Sequence, residues 1–447
     1  MADLKSIGEN IISQAKGSEQ IEAYILWERE TSIRVYESEI ESLTSAEASG
    51  IGVRVISDGR VGISYAGSLE PNDLQRVITE ARDNARFGTV DPFAGLAQPD
   101  GVDPPKLNLW SSDILNTGTD KKIALAMELE KLTLSKDKRI RSLNSSNYGD
   151  VSVEAVVVNS NGISSSFEQT YCWAWAFALA SHENETQTGH GLHASRALSD
   201  LDIEYAASEA ADKATRMLGA KKPASGTFTA IFEPDISAAL LGIIAGTLSA
   251  EAVQKGRSIF SGRLGEQVAS TKLNLLDDPS DSRFFSASPF DDEGLASRKN
   301  QLITNGTLEA FLYDSYTARK DNTKSTGSAI RGGISGLCSP GPRAILVSPG
   351  SESPDEILTK VGDGVLIQSI FGIHSGVNPV SGDFSVGAEG IRISNGQLAG
   401  PIKEFTIASN LQKMIKDISA IGNDLTFRPG GTAGVTIVID NINVSGA

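Results

Sequence analysis

The chain is poor in the side chains that most often bind metals or act as nucleophiles, since its 447 residues include two cysteines and four histidines. The cysteines, Cys172 and Cys338, are far apart in the sequence, and we expect both to be reduced, buried thiols and not a disulfide. The uncharged run near residues 236–250 is shorter than the ~20 residues of a membrane-spanning helix, and Gly242 and Gly246 interrupt it. The start, MADLKSIGEN, lacks the order of a secretory signal, so we expect a cytoplasmic protein.

Basic residues are outnumbered by acidic ones. The chain has 40 Lys and Arg against 56 Asp and Glu, which gives a formal net charge of -16 and a pI near 4.8. Such a surface repels phosphate backbones and anionic lipids, so neither nucleic acid nor a membrane is an expected partner. The adjacent pairs Lys121-Lys122 and Lys221-Lys222 are predicted to lie on solvated faces.

Motifs of common enzyme classes are absent from the sequence. It contains no G-x-S-x-G nucleophile elbow, no Walker-type phosphate loop and no G-x-G-x-x-G after a strand. The acidic run Asp291-Asp292-Glu293 could bind a divalent cation, but adjacent carboxylates on an extended chain point to alternate faces. We therefore predict a turn that is stabilised by Asp side chains at this run.

Three of the four histidines lie in one segment, SHENETQTGHGLH. Zinc sites use closely spaced His and carboxylate ligands, and the segment offers His182, Glu183, Glu185, His190 and His193. It also follows an aromatic strand and is rich in Asn, Thr and Gly, as a solvated hairpin connection is. We favour the hairpin, and the role of His182, His190 and His193 stays open. The fourth histidine, His374, is interpreted as a polar loop or core residue.

Four segments have alternating β-branched runs around an Asp-Gly or Asn-Gly pair, at residues 58–59, 161–162, 305–306 and 395–396. Such pairs accept the positive φ angles of a tight turn, so each segment predicts an antiparallel hairpin. Helical patterns lie between them, and they begin near Asn72, Asp120, Ile203 and Ile236. Helices interspersed with hairpins predict an α+β fold, with hairpin-rich antiparallel sheets and packed helices.

Two breaks suggest how the chain is divided. Residues 91–112 are rich in proline and linker-like, and we place them inside an amino-terminal α+β domain of residues 1–220. The segment GAKKPASG, residues 219–226, marks the main boundary. Residues 226–447 are predicted to form a β-rich carboxy-terminal domain, in which Pro234 begins a helix after the first strand.

The carboxy-terminal half contains unusual strings in a fixed order: KGRSIFSGRLGEQVAS (255–270), SPFDDEGLASRKNQLITNGTLEAFLYDSYTARK (288–320), KSTGSA (324–329), VNPVSGDFSVGAEGIRISNGQLAGPIKEFTIASNLQKMI (377–415) and IGNDL (421–425). In these strings the chain resembles the TldD/PmbA family, which carries the label of modulators of DNA gyrase. The resemblance is closest to the PmbA branch, also called TldE. It spans most of residues 227–447, whereas the amino-terminal half agrees mainly in its pattern of hairpins and helices.

In the TldD branch, a helix with H-E-x-x-x-H precedes the KG-x-S-x-FSG string and supplies two metal-binding histidines and a water-activating glutamate. The histidine positions fall on Leu241 and Gly246 of this chain, and the glutamate position falls on Gly242. The family's late cysteine, after the N-D-L motif, has no counterpart in NDLTFRPGGTAGVTIVIDN, and Cys338 lies well upstream. The resemblance thus implies that the metal site is lost, with no catalytic, cofactor-binding or metal residue in this chain.

The resemblance also implies a function. PmbA-type chains pair with a zinc-bearing TldD-type subunit in a cytoplasmic metallopeptidase complex that cleaves small or unfolded peptides. We expect this chain to be the metal-free, non-catalytic subunit. Two alternatives remain: a homodimeric peptide-binding or regulatory protein without proteolytic activity, and a peptidase whose metal site is rebuilt from His182, His190 and His193. The net charge of -16 disfavours the gyrase label.

Overall fold

The computed structural model describes residues 3–447, and its first half is built on one six-stranded antiparallel sheet in the order β3-β2-β1-β4-β5-β6. The strands are β1 Gln20–Tyr36, β2 Glu39–Ser57, β3 Arg60–Ala66, β4 Ile140–Asn159, β5 Ser164–His182 and β6 Glu185–Ser195. The helices of this half are α1 Leu4–Ile12, α2 Pro71–Phe87, α3 Asp113–Asn116, α4 Thr119–Lys136 and α5 Ile203–Thr215, with a 3₁₀ turn at Leu198–Asp200.

The helices cover one face of this sheet, which follows from the alternation of the strands. On β5, the even-numbered alanines from Ala174 to Ala180 are buried against α5, while the odd-numbered aromatic residues lie on the opposite face. Gly191 on β6 lets α5 approach closely, because a Cβ there would lie 2.0 Å from the Ala206 carbonyl oxygen. The first sheet therefore has one helix-covered face and one face without helices.

The second half contains a six-stranded sheet and two smaller sheets. Its strands are β7 Gly226–Phe232, β8 Leu275–Asp277, β9 Asn300–Thr304, β10 Thr307–Leu308, β11 Ala329–Arg331, β12 Cys338–Pro340, β13 Ile345–Val347, β14 Gly364–Phe371, β15 Asp383–Ser394, β16 Gln397–Asn410, β17 Ile418–Ile421 and β18 Ile437–Ser445. Its helices are α6 Pro234–Gly246, α7 Ala250–Gln254, α8 Ser315–Lys320, α9 Pro354–Val361, α10 Ile373–Gly376 and α11 Leu411–Lys416.

The large sheet of the second half curves until it closes. Its order is β16-β15-β14-β7-β18-β17, and β16 pairs with β18 as well as with β15. Strands β16, β15, β14, β7 and β18 therefore form a closed barrel, in which β14 and β7 are parallel and the other pairs are antiparallel. The largest hydrophobic core of the described chain lies in this half and includes one side of α6.

The predicted α+β fold with antiparallel hairpins is confirmed. Asp58-Gly59, Asn305-Gly306 and Asn395-Gly396 each connect paired strands with both φ angles positive. The pair at 161–162 lies in the turn between β4 and β5. The helical pattern that begins near Ile236 does not continue as one helix to Gln254, because Leu312 pairs with the backbone of the turn between α6 and α7. The carboxyl end of this segment is therefore the separate helix α7.

Two other predictions are wrong in part. Lys122 is buried on α4, and its Nζ lies 2.6 Å from Asp150 Oδ2. It is not on a solvated face, because Asp150 on β4 compensates its charge beneath the helix. Cys172 is a buried free thiol as expected, whereas Cys338 is free but only partly buried, at the start of β12 beside an interdomain cavity.

Residues 91–112 contain no helix or strand, but they are attached to the second half of the chain. Tyr316 donates a hydrogen bond to Asp91, and Arg319 donates to the carbonyl oxygens of Phe93 and Gly95. α8 thus holds this segment against the carboxy-terminal half. None of the helices between residues 3 and 447 has the length and apolarity that a membrane-spanning helix requires.

Candidate functional site

Helix α6 contains Leu241, Gly242 and Gly246, the three positions at which the resemblance implies that metal-site residues are missing. Pro234 occupies its first turn, where a missing N–H costs no hydrogen bond. Leu241 is buried in the core, with 1% of its surface exposed. Gly242 faces a cavity, and Gly246 lies at the exposed end of the helix with open space around it. The three positions therefore have different surroundings, and only Gly242 lines the cavity.

The cavity has a volume of ≈ 440 Å³ and lies between the two halves of the chain. Ala238, Ala239 and Gly242 form its α6 wall, and the residues Arg428–Thr432 form a second wall. A Cβ at Gly242 would lie 3.2 Å from Thr432 Oγ1, so the loop after the N-D-L motif packs directly on α6. The third wall belongs to the first sheet and consists of Trp175, His190 and Leu192.

A network of charges holds these walls together. Arg428 donates hydrogen bonds to the Leu192 carbonyl oxygen, to Glu209 on α5 and to Asp235 on α6. Lys213 Nζ lies 3.0 Å from a carboxylate oxygen of both Glu209 and Asp235. Burial alone would raise the pKa of Asp235, but Lys213 and Arg428 outweigh it and hold this pKa below its usual value. Both carboxylates are therefore paired with cations, and these cations favour the ionised form of Asp235.

The structure does not bring the three clustered histidines together. His182 ends β5 at the hairpin, whereas His190 and His193 lie on opposite faces of β6. His193 Nδ1 accepts a hydrogen bond of 3.0 Å from the Asp202 N–H, and its ring packs edge-on against Tyr205. His190 lines the cavity, where burial lowers its pKa and nearby Lys213 lowers it further. His182, His190 and His193 therefore do not form one metal site in the part of the chain that the structure describes.

The remaining candidates also have ordinary surroundings. His374 is exposed on α10. Glu185 forms an ion pair with Lys403, which with two other hydrogen bonds holds its pKa near 2. Glu183 occupies the exposed turn between β5 and β6. The segment SHENETQTGHGLH is thus a hairpin, as we favoured, with one imidazole in the cavity.

The residues around α6 do not fit a catalytic zinc ion, which needs three protein ligands from His, Cys or carboxylates. Across residues 3–447, no group of three or more such side chains is arranged to hold a metal. Of the nearest donors, Glu209 and Asp235 form ion pairs, and His190 is a single imidazole. The helix positions Leu241, Gly242 and Gly246 offer no donor atom at all. Whether the chain carries a metal in solution stays a prediction.

The acidic run forms the predicted turn, buried at the junction of the two halves. Asp291 Oδ1 accepts hydrogen bonds of 3.0 Å from the N–H groups of Glu293 and Leu295. Burial raises the pKa of Asp291 to about 8, and the neighbouring Glu293 carboxylate adds to this shift. Asp292 pairs with Arg343 at 2.9 Å. These carboxylates are therefore structural groups of the junction.

Arginines from both halves complete this junction. Arg54 on β2 pairs with Glu22 on β1 at 2.7 Å and lies 3.9 Å from Glu293 of the second half. Arg331 on β11 also pairs with Glu22. The Ser165 hydroxyl on β5 donates to the Gly294 carbonyl oxygen. A continuous set of buried charges and hydrogen bonds thus fixes the two halves relative to each other.

Sequence reasoning missed the residues that form the cavity around α6. Arg428 and Asp235 are separated by almost half of the chain, and neither lies in a recognisable motif. The sequence indicates only that the exposed Trp175 belongs to an aromatic strand. The one available signal was the odd and even alternation of β5, which places Trp175 away from the alanines that face α5.

Three models of one protein family match most of the chain. They are the PmbA/TldA metallopeptidase domain 1 at residues 21–85, its central domain at residues 112–218 and its C-terminal domain at residues 225–446. Among curated proteins, the metalloprotease PmbA of Escherichia coli O157:H7 is 27% identical over 411 residues, which cover 91% of this chain and 88% of that protein. A metalloprotease TldD homolog of Buchnera aphidicola is 25% identical over 393 residues, covering 85% of this chain and 80% of that protein.

Solved structures share the whole architecture. A protein described as a modulator of a DNA gyrase from Thermotoga maritima superimposes with a TM-score of 0.91 at 25% identity, covering 99% of this chain and 100% of the other. A protein with the same description from Bacteroides thetaiotaomicron gives a TM-score of 0.90 at 26% identity and full coverage of both chains. TldE from Thermococcus kodakarensis has the same fold, with a TM-score of 0.89 at 24% identity over 99% of both chains.

Proposed function

Because the chain belongs to the PmbA/TldD metallopeptidase family, we propose that it is a metal-free, non-catalytic subunit of a cytoplasmic metallopeptidase complex that acts on small or unfolded peptides. In this proposal it is a chain of the PmbA, or TldE, branch. A TldD-type partner subunit supplies the zinc ion and the acid-base residue. The two curated relatives named above carry the name metalloprotease, so the non-catalytic role of this chain is argued from its own residues.

One observation carries the proposal: the helix α6 offers Leu241, Gly242 and Gly246 where the TldD branch has its metal-binding and water-activating side chains. The surroundings do not compensate for this loss. The neighbouring carboxylates Glu209 and Asp235 are held by Lys213 and Arg428. A carboxylate with two cationic partners and a pKa below its usual range, as Asp235 has, is a poor general base near neutral pH.

The cleft supports a role in holding peptides. Ala238, Ala239 and Gly242 give α6 a wall without bulky side chains, and the adjoining loop contains Gly430 and Gly431. Such surfaces leave room for an extended peptide backbone, and recognition through the backbone of a peptide tolerates varied sequences. Arg428 joins the loop to the first sheet and to α6. This chain would thus contribute one wall of a peptide channel, and its partner would contribute the chemistry.

A reconstitution experiment tests the proposal. The tagged chain is purified from its native cell, and the proteins that co-purify with it are searched for a paralogue that carries H-E-x-x-x-H. The two purified proteins are then assayed on unfolded peptides, separately and together. We expect a stable complex and cleavage that requires the paralogue and increases with this chain.

The matched control replaces the paralogue's motif glutamate by glutamine, which is expected to abolish cleavage and leave the complex intact. The proposal fails if no such paralogue associates with the chain and its addition never changes peptide cleavage. A chain that instead forms only homodimers and binds peptides would be a stand-alone binding or regulatory protein.

A further inference from the structure

The face of the first sheet that carries no helix has a row of aromatic side chains on β5. Tyr171, Trp173, Trp175 and Phe177 alternate with the alanines that face α5; Trp175 is 37% exposed, and the other three are partly exposed. Tyr171 also packs on Phe285 of the second half, with ring centroids 5.6 Å apart. The ring centroids of Tyr171 and Trp173 are 5.7 Å apart, and those of Trp175 and Phe177 are 6.1 Å apart. A solvated sheet face does not need four neighbouring aromatic side chains. A contiguous apolar patch of this kind marks an interaction site.

The Trp173 ring lies over Gly149 of the neighbouring strand β4. Trp173 pairs with Gly149 on β4, and a Cβ at Gly149 would lie only 2.2 Å from the indole ring. The glycine therefore makes room for the ring to cover the backbone of β4. The ring remains partly exposed, and the negative π face of an indole attracts cations.

Two carboxylates lie on the same face of the sheet. Glu30 on β1 is opposite Val151, which is opposite Tyr171, and Glu28 occupies the next position on the same side of β1. Among the described residues, neither carboxylate forms an ion pair with a Lys or Arg, although other acidic groups at the domain junction do. Partial burial raises the pKa of Glu28, and Glu30 raises it further. Burial also raises the pKa of Tyr171, Glu28 and Glu30 raise it further, and Arg196, which donates to the neighbouring Thr170 carbonyl oxygen, lowers it.

We propose that this aromatic and acidic face, defined by Glu28, Glu30, Tyr171, Trp173 and Trp175, binds extended peptide segments that carry arginine or lysine. The cationic side chain would stack on the rings and pair with the carboxylates, which the chain itself leaves without a cation. Trp175 also lines the cavity beside α6, so the face continues into the cleft between the two halves. This inference rests on the proposed function, because it names the class of peptide that the subunit would hold.

Binding of two labelled peptides to the purified full-length chain tests the inference. The peptides are alanine-rich, blocked at both ends and identical except that one has two arginines where the other has two glutamines. At low ionic strength we expect the arginine peptide to bind at least about fivefold more tightly, by fluorescence anisotropy. The double variant Glu28→Gln/Glu30→Gln should lose about fivefold in affinity for the arginine peptide, and Trp173→Ala should lose about as much.

The matched control is Glu154→Gln/Glu168→Gln, which removes two carboxylates from the helix-covered face of the same sheet. It lowers the total charge equally and should keep the affinity within about twofold. Equal binding of both peptides, or an equal loss in the control variant, would overturn the inference. Because Trp173→Ala could impair folding, the glutamine variants carry the decision if its circular dichroism differs from that of the unaltered chain.

Association with the H-E-x-x-x-H paralogue is measured in the same variants. If the paralogue associates and cleaves peptides but the arginine preference is absent, the inference fails while the proposed function stands. If the preference is present and no paralogue associates, the proposed function fails instead. If Glu28→Gln/Glu30→Gln weakens association with the paralogue and leaves peptide affinity unchanged, the face is a subunit interface and the inference is wrong.

Discussion

Replacement of Arg428 by methionine tests whether the walls of the cavity depend on one side chain. Arg428 is largely buried, with 18% of its side chain exposed, and it bonds to the Leu192 carbonyl oxygen, Glu209 and Asp235. Methionine keeps most of the apolar volume and removes all of these bonds. A hydrogen bond to a charged group contributes about 1.5–3 kcal/mol.

Adding the contributions of all these bonds would overestimate the loss of unfolding free energy, because Lys213 stays 3.0 Å from both carboxylates and keeps them paired. We therefore expect Arg428→Met to lower the free energy of unfolding by about 3 kcal/mol. Urea unfolding is followed by circular dichroism and by tryptophan fluorescence, since Trp175 lines the same cavity. We also expect the fluorescence transition to occur at lower urea than in the unaltered chain.

Arg86→Met serves as the control, because Arg86 is 75% exposed and pairs only with Asp83 on its own helix. An exposed pair of this kind contributes about 0–1 kcal/mol. The reasoning is refuted if Arg428→Met and Arg86→Met destabilise the chain equally, or if the loss at Arg428 is below about 1 kcal/mol.

Three further predictions concern groups outside the cavity. Burial raises the pKa of Asp277 to about 6, so the protonated side chain stabilises the fold below about pH 4, and this stability is lost as the pH rises through 6. By urea unfolding at each pH, the unaltered chain should lose about 3 kcal/mol of unfolding free energy over this range, and Asp277→Asn should not. Gly191→Ala should cost at least about 2 kcal/mol, because its Cβ would meet the backbone of α5; an unchanged melting temperature would contradict this. Lys122→Met should cost about 3–5 kcal/mol by leaving Asp150 buried without a cation, and Lys122→Met/Asp150→Leu should recover most of it; a double variant as unstable as the single one would refute the ion-pair argument.

The hairpins of this fold could be predicted from the sequence because their signal is local. Asp58-Gly59 and Asn395-Gly396 accept positive φ angles, and the residues beside them alternate with the period of a strand. The division of residues 236–254 into α6 and α7 could not be predicted in this way. It depends on Leu312, which lies more than 60 residues further along the chain and bonds to the turn between the helices.

For the candidate site, the sequence predicts only which metal ligands are missing. The strings around residues 255–270 and 421–425 locate the positions of Leu241, Gly242 and Gly246, and they thereby predict that ligands are missing. The positive features of the cavity depend on tertiary contacts, as in the case of Arg428, which reaches α5 and α6 across the chain. His190 and His193 both lie in β6. Successive side chains of a strand point to opposite faces, so two residues that are three positions apart face opposite sides of the sheet.

We predict that this chain has no metal-dependent catalysis of its own, and metal analysis of the purified chain tests this prediction. Elemental analysis after zinc loading and gel filtration is combined with peptide cleavage by the chain alone, with and without a chelator. We expect zinc well below one equivalent per chain and no cleavage above the buffer blank. Stoichiometric zinc together with chelator-sensitive cleavage by the lone chain would contradict it.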